Sequence, residues 1–254
     1  MNFLDAVILG IVEGVTEFFP ISSTGHLILV SELLGLPETE FLKTFQIVIQ
    51  LGAILAIVVL YWRKLFFDQA MIKRIIVALI PALGVGFLFY QFIRSLFESP
   101  LVVVVALFVG GVILVLYELF HKEKEARADL ESMTYRAAFF IGLFQALSVV
   151  PGVSRAGATI LGGLLLGFKR TAIVEFSFLL AVPTMVAATS LDLFKHASLF
   201  SGSDFPLLFV GFATAFFVAI TAVKFLLRYV ETHTFLAFGI YRIVVAGLFF
   251  VFVL

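Results

Sequence analysis

The chain has 254 residues, of which 62% are hydrophobic and only 13% charged, with a mean hydropathy of +1.17. Soluble domains average about 45–50% apolar and about 25% charged residues, so a soluble globule is excluded and length is counted in spans of about 20 residues. Net charge is zero and cysteine is absent, which gives no argument for nucleic acid as a partner and excludes disulfides and thiolate metal sites.

In chain order, the first apolar segment, residues 2–36, carries Asp5, Glu13 and Glu17 where a signal peptide would have its apolar core, so insertion is expected to use internal spans. This segment is broken by Pro20-Ile-Ser-Ser-Thr-Gly-His26, which leaves two arms too short for a comfortable crossing. Three full spans follow, at about 43–62, 72–92 and 99–120, and then a charged linker from His121 to Glu131, read as a cytoplasmic loop. A second broken segment, 135–169, is interrupted by Pro151-Gly-Val-Ser-Arg-Ala-Gly157, and three more spans occupy about 171–192, 205–228 and 233–254. The plain reading of each break is a Pro-kinked span. The alternative is a re-entrant helix–loop–helix, tolerated in a bilayer only where protein covers it.

The distribution of Lys and Arg favours the second. With the 62–72 loop in the cytoplasm, the inner side collects Arg63, Lys64, Lys73, Arg74, Lys122, Lys124, Arg127, Arg136, Lys169, Arg170, Lys224 and Arg228. The outer side holds only Lys43, Arg94 and Lys195, and Arg155 and Arg242 fall within the membrane. This positive-inside pattern requires each broken segment to leave on the side it entered, the first opening outward and the second inward. The halves also match each other. At an offset of 132, Gly10, Gly25 and Leu33-Leu34-Gly35 fall on Gly142, Gly157 and Leu165-Leu166-Gly167, and Glu13 falls on Gln145. At 131, Pro20, Ser23 and Phe45 fall on Pro151, Ser154 and Phe176. The expected architecture is therefore an all-α integral membrane protein: one domain of six transmembrane helices plus two re-entrant segments. The repeats, about 1–92 and 135–228, are inverted, with 99–120 and 233–254 as additional spans, which puts a site near the midplane.

The polar residues inside these segments point to an anion. Glu13 and Glu17 lie four apart, on one helix face with Gly10 and Gly14. Two carboxylates in the membrane need a metal, a basic side chain or a shared proton, unless this arm is an exposed amphipathic helix. Apolar residues around the rest of that circumference argue against exposure. Ser22, Ser23, Thr24, Gly25 and His26 open the next arm, where free N–H groups of a first helical turn attract phosphate. Ser154 and Arg155 open the arm after the second break, and Arg binds phosphate oxygens as a fork. Arg242, mid-span, reads either as a further phosphate ligand or as a structural partner of Glu175 or Glu118. Glu175, near a span end, reads as a helix-terminus or packing residue.

Glu13-Gly-Val-Thr-Glu17-Phe-Phe-Pro-Ile-Ser-Ser-Thr-Gly-His26 and Pro151-Gly-Val-Ser-Arg-Ala-Gly157 resemble the two signature motifs of the undecaprenyl-pyrophosphate phosphatases, the bacitracin-resistance family. Phe45-Gln-Ile-Val-Ile-Gln-Leu-Gly52, Glu175-Phe-Ser-Phe-Leu-Leu-Ala-Val-Pro183 and Tyr241-Arg242 extend the resemblance over essentially the whole chain. It implies hydrolysis of undecaprenyl pyrophosphate to the monophosphate carrier of wall synthesis, in the bacterial plasma membrane. On the charge count, catalysis faces the extracytoplasmic side. Glu13 and Glu17 would hold Mg²⁺ or Ca²⁺, hard cations that prefer oxygen ligands. Arg155 would clamp the transferred phosphate, aided by Ser22, Thr24, Gly25, Ser154 and Arg242. Ser23, activated by Glu17 or His26, is the expected nucleophile, with His26 itself or a metal-activated water as competitors. A polyprenyl-phosphate transporter using the same anion site is the rival from another class. An anion channel fits poorly with paired carboxylates, and a purely structural scaffold has no use for so many intramembrane charges. Gly110-Gly111 offers close helix packing, compatible with a homodimer within the membrane lipids.

Overall fold

A computed structural model describes residues 1–97, 99–121, 128–196 and 204–253. Among the described residues the chain is built of helices, with a lone bridge between Ala128 and Phe168 as its only β pairing. Lys122, Lys124 and Arg127 lie outside the described residues, as does most of the linker.

The first broken segment forms two helices, α1 (Phe3–Thr16) and α2 (Ser23–Leu33), and the second forms α7 (Tyr135–Ala146) and α8 (Arg155–Leu165). At 1.5 Å per residue these arms, 14, 11, 12 and 11 residues long, reach about 17–21 Å, against a hydrocarbon core of about 30 Å. The arms of each pair pack side by side, so each segment is a hairpin rather than a kinked rod. Their starts are set locally. The Asn2 side chain accepts from Leu4 and Asp5 while Asp5 reaches back to the Asn2 N–H, a capping box, and Thr134 caps α7.

Between and after the hairpins run α3 (Glu40–Phe66), α4 (Gln69–Leu88), α5 (Tyr90–Phe97), α6 (Pro100–Phe120), α9 (Arg170–His196), α10 (Phe205–Thr232) and α11 (Leu236–Val253). Five of these are long and apolar enough to cross a membrane, namely α3, α4, α6, α9 and α10. With 18 residues, α11 is the shortest of the six helices that fall on the expected spans. The span expected at 72–92 is divided: α4 ends at Phe89, whose φ of −111° and ψ of 19° leave the helix, and α5 starts afresh. Hydropathy could not see this break, because Phe87-Leu88-Phe89 is apolar on both sides of it.

The hairpins are exchanged between halves: α1 packs on α10, and α7 on α4. Both contacts depend on bare backbone. A Cβ at Gly14 would lie 2.7 Å from the Ala215 carbonyl oxygen, and one at Gly142 would lie 2.1 Å from that of Ala78. Helix α3 packs on α10 and α9, and α6 on α11, where Gly110 and Gly111 are filled by Arg242 and by the backbone of Gly239. The glycine pair is thus used inside the chain.

The main core unites Phe18, Ile57, Ile75, Tyr117, Leu130 and Phe176 with their neighbours. It therefore joins the C-terminal half of α3, the start of α4 and the end of α6, the cation-rich end of the molecule. Ion pairs tighten that end. The Arg170 guanidinium forks onto Glu118, whose Oε1 also accepts the Phe235 N–H, while Lys64 bonds Glu175, and Lys169 bonds Asp129 at 2.7 Å. Arg74 donates to the Glu131 and Met133 carbonyls, clamping the loop below it. Glu118 and Glu175, considered as partners of Arg242, pair elsewhere. The opposite ends of α4 and α9 splay instead around a cavity.

Candidate active site

The cavity measures about 1180 Å³ and is walled by the second half of α4 (Leu83, Phe87), by α5 (Phe92), and by the second half of α9 (Met185, Ala188). Its polar end is made by the two breaks: Glu17, Ser22, Ser23 and Thr24 from one, Gly152, Ser154 and Arg155 from the other. Apolar walls leading to a polar end suit a molecule with a charged head and a greasy tail.

Each break is turned by a serine with positive φ, Ser22 at 70° and Ser154 at 75°, the only non-glycine residues of that kind among those described. Such geometry costs about 1–3 kcal/mol per residue and persists only where the surroundings hold it. It makes Ser22 and Ser154 equivalent N-caps, so Ser23 and Arg155 are the equivalent first residues of α2 and α8. The sequence offset that pairs Ser23 with Ser154 is therefore one residue out at this point. Ser154 Oγ accepts the Gly157 N–H at 3.1 Å, whereas Ser22 makes no side-chain cap. The first-turn N–H groups of α2 are accordingly left for a ligand.

At the junction, Ser23 Oγ donates to Glu17 Oε2 at 2.5 Å and Arg155 Nη2 donates to Glu17 Oε1 at 3.1 Å. Arg155 Nη1 is tied to the Ser177 carbonyl at 2.9 Å, its guanidinium carbon lies 5.9 Å from the centre of the Phe18 ring, and Nε has no partner. Hydroxyl, carboxylate and guanidinium thus form one chain, and all three line the cavity. A carboxylate at hydrogen-bond distance from a hydroxyl is the arrangement of a base beside its nucleophile.

Glu13 is wholly buried one turn back on α1, and neither carboxylate oxygen has a hydrogen-bond partner among the described residues. Its electrostatic neighbours are Glu17 and Arg155. No group of three or more His, Cys, Asp or Glu gathers among the described residues. A divalent cation fits this pair if substrate oxygens complete its shell, the usual arrangement for Mg²⁺ on phosphates.

Four expected site residues stand back from the cavity wall: Glu13, Gly25, which packs on Leu107 of α6, His26 and Arg242. Buried His26 has Nδ1 at 2.8 Å from the Ser22 carbonyl oxygen and Nε2 at 2.8 Å from the Tyr241 hydroxyl. Since a carbonyl only accepts, Nδ1 carries the proton, and in the neutral ring Nε2 accepts from Tyr241. Both ring nitrogens are thus engaged away from Glu17, the Ser23 hydroxyl's own partner, and the imidazole braces the strained Ser22 backbone. Arg242, only 2% exposed, gives its donors to four carbonyls: Pro20 at 3.1 Å, Gly152 at 3.0 Å, Ala106 at 3.1 Å and Leu107 at 3.3 Å. It clasps the two breaks to each other and to α6. Tyr241→Phe is expected to leave the fold intact and lower activity about threefold to tenfold, the loss of one hydrogen bond. Thermal melts beside initial rates check this.

The cavity also has polar residues that sequence reasoning passed over, among them Gln50, Gln145, Ser148 and Thr184. A period-matching signal existed only for Gln145, through its alignment with Glu13.

Long apolar helices around a buried serine–carboxylate–guanidinium site define a multi-pass membrane protein. The family model described as bacitracin resistance protein BacA matches residues 6–248, and the chain belongs to that family. It is 53% identical to a protein of Sulfurihydrogenibium sp. (strain YO3AOP1), over 98% of this chain and 99% of that one. It is 50% identical to one of Persephonella marina over the full length of both, and 48% identical to one of Aquifex aeolicus over 96% of each. All three carry the name undecaprenyl-diphosphatase.

Proposed function

We propose that this protein hydrolyses undecaprenyl diphosphate to undecaprenyl phosphate and inorganic phosphate. It would thereby return the lipid carrier to cell-wall synthesis and confer resistance to bacitracin. The observation that carries this reading is the Ser23–Glu17–Arg155 chain at the polar end of an apolar-walled cavity. The names of the full-length relatives agree with it. A transporter would use helix N-termini and an arginine equally well but has no need of a hydroxyl hydrogen-bonded to a carboxylate.

In this reading the diphosphate sits between the first turns of α2 and α8, with its chain leaving along α4, α5 and α9. Ser23 Oγ attacks the terminal phosphorus, the bond to the bridging oxygen breaks, and the lipid phosphate departs. The Ser23 proton passes to Glu17 and from it to the departing phosphate. Arg155 neutralises the transferred group, which is most of what phosphoryl transfer requires. Glu13 and Glu17 would hold Mg²⁺ or Ca²⁺, which supplies further charge neutralisation on the phosphate oxygens. Arg242 and His26 hold the two breaks in shape.

The two hairpins are re-entrant in this proposal, with the α1–α2 pair entering from the extracytoplasmic side and the halves inverted. The packed, cation-rich end would face the cytoplasm and the cavity would open outward, in the bacterial plasma membrane. Phosphate release from a membrane-impermeant polyprenyl diphosphate analogue by sealed cells tests the orientation. Release by purified protein in detergent, where no compartments exist, tests hydrolysis against transport. In the same assay, chelation is expected to lower the rate about a hundredfold or more, restored by Mg²⁺ or Ca²⁺. Glu13→Gln is expected to raise the metal concentration giving half-maximal rate by about tenfold, because one of two carboxylate ligands is lost. Activity indifferent to chelator and to Glu13→Gln would remove the metal from the mechanism.

A further inference from the structure

Glu17, Ser23 and Arg155 account for phosphoryl transfer to the protein but leave the second half of the reaction, attack by water, without a holder. The wall of the same cavity carries Gln145, at the end of α7, followed by Ser148 in the short 3-10 turn Leu147–Val149. Gln145 is 1% exposed, its Oε1 has no hydrogen-bond partner, and it lines the cavity.

Its amide orientation is dictated by the neighbours. The Thr184 hydroxyl donates its one proton to the Leu180 carbonyl at 2.7 Å, so toward Gln145 it can only accept. Gln145 must therefore present its NH₂ group to Thr184, at 3.2 Å, and turn its oxygen away from it. Ser148 likewise spends its proton on the Gln145 backbone carbonyl at 2.7 Å, leaving Oγ lone pairs. This corner of the cavity offers acceptors and no spare hydroxyl proton. A fully ionised phosphate has nothing to donate there. Water does.

Neutrality matters as much as the acceptor. Gln145 falls where Glu13 stands in the first half, and Gly142 packs on Ala78 as Gly10 packs on Gly211. A carboxylate there would repel an anionic substrate in the cavity, whereas the amide offers an acceptor without a charge.

We propose that Gln145, with Ser148, holds the water that hydrolyses a phosphoserine at Ser23. This rests on the covalent reading given above. The water oxygen bonds to phosphorus as the P–Oγ bond of Ser23 breaks. One water proton passes by way of Glu17 to Ser23 Oγ, restoring the hydroxyl, and the other stays on the inorganic phosphate released.

The test is Gln145→Met, which keeps volume and removes the acceptor, in purified full-length protein acting on a polyprenyl diphosphate with Mg²⁺ present. Loss of the water's hydrogen bond is expected to lower kcat about tenfold or more. KM falls in proportion, because kcat/KM reports only steps up to the first departure of product. Acid-quenched protein should then carry phosphate on Ser23 approaching one per chain, with a burst of lipid phosphate. An unchanged kcat, or a kcat/KM that falls along with kcat without phosphoserine accumulating, overturns the proposal. Ser23→Ala run alongside separates the two readings. Turnover by that variant defeats the covalent step, whereas an inactive Ser23→Ala with normal Gln145→Met defeats only the water site. Thr184→Val, which frees the Gln145 amide to rotate, is expected to give the same split in milder form, and a Thr184→Ser hydroxyl restores it.

Discussion

Ser23→Ala is expected to abolish phosphate release, with kcat lowered by about four orders of magnitude or more and substrate binding within a fewfold of the parent. The substitution removes one oxygen and little else. Ser22, not Ser23, is the N-cap of α2, so the helix start survives, and Glu17 keeps its bond to Arg155. What disappears is the hydroxyl 2.5 Å from Glu17 Oε2. Rapid acid quench during turnover should find phosphoserine in the parent and none in the variant. Near-normal turnover by Ser23→Ala would instead hand the attack to His26 or to water. His26 is poorly placed to receive it. One ring nitrogen donates to the Ser22 carbonyl, and the other bonds the Tyr241 hydroxyl. An imidazole nucleophile would have to give up that second bond and turn toward the cavity, leaving Ser22 at its φ of 70° without its brace.

How far the sequence leads can be judged residue by residue. The breaks at Pro20 and Pro151 were legible because proline and glycine interrupt a helix locally, and the shortness of the arms follows by counting. The convergence of Glu17 with Arg155, 138 positions apart, was legible less directly: two charges of opposite sign in the membrane need each other. Gly10 and Gly14 on one face of α1 meet the backbone of a close neighbour. Its identity, α10 from the other half, depends on packing between segments and leaves no local trace.

Other features were hidden for physical reasons. The positive φ of Ser22 and Ser154 arises in residues with no preference for it, and is held by contacts such as that of His26 with the Ser22 carbonyl. From sequence, Arg242 reads either as a phosphate ligand or as a partner of Glu175 or Glu118, because a charge in mid-span calls for a counter-charge. Four carbonyls freed by the two breaks and by α6 serve it instead, and no residue pattern advertises a free carbonyl. Tyr241 stands out in the sequence only as part of the Tyr241-Arg242 pair, and nothing local to it announces the bond to His26, 215 positions away. The end of α4 at Phe89 was invisible to hydropathy, yet it bends the chain so that α5 roofs the cavity.

Arg155→Lys is expected to cost about a thousandfold in kcat/KM although the charge is kept. The guanidinium divides its donors among three directions. Nη1 holds the Ser177 carbonyl, Nη2 holds Glu17, and Nε lies unpartnered on a side chain that lines the cavity. The planar fork therefore fixes Glu17 and still has N–H groups for a phosphate oxygen. A lysine has one nitrogen on a flexible stem. Bound to Glu17, it leaves the Ser177 carbonyl and the substrate unserved; bound to the substrate, it leaves the Glu17 carboxylate unpaired in a low-dielectric site. Both outcomes also loosen the carboxylate that Ser23 relies on, so the loss should appear in kcat as well as KM. Arg155→Ala removes the charge too and should be slower still, with Glu17 facing Glu13 uncompensated. The distinguishing measurement is the ratio of the two variants in purified protein at saturating Mg²⁺. A lysine enzyme within about tenfold of the parent would mean that Arg155 acts as a point charge and that the fork onto Glu17 and Ser177 is incidental.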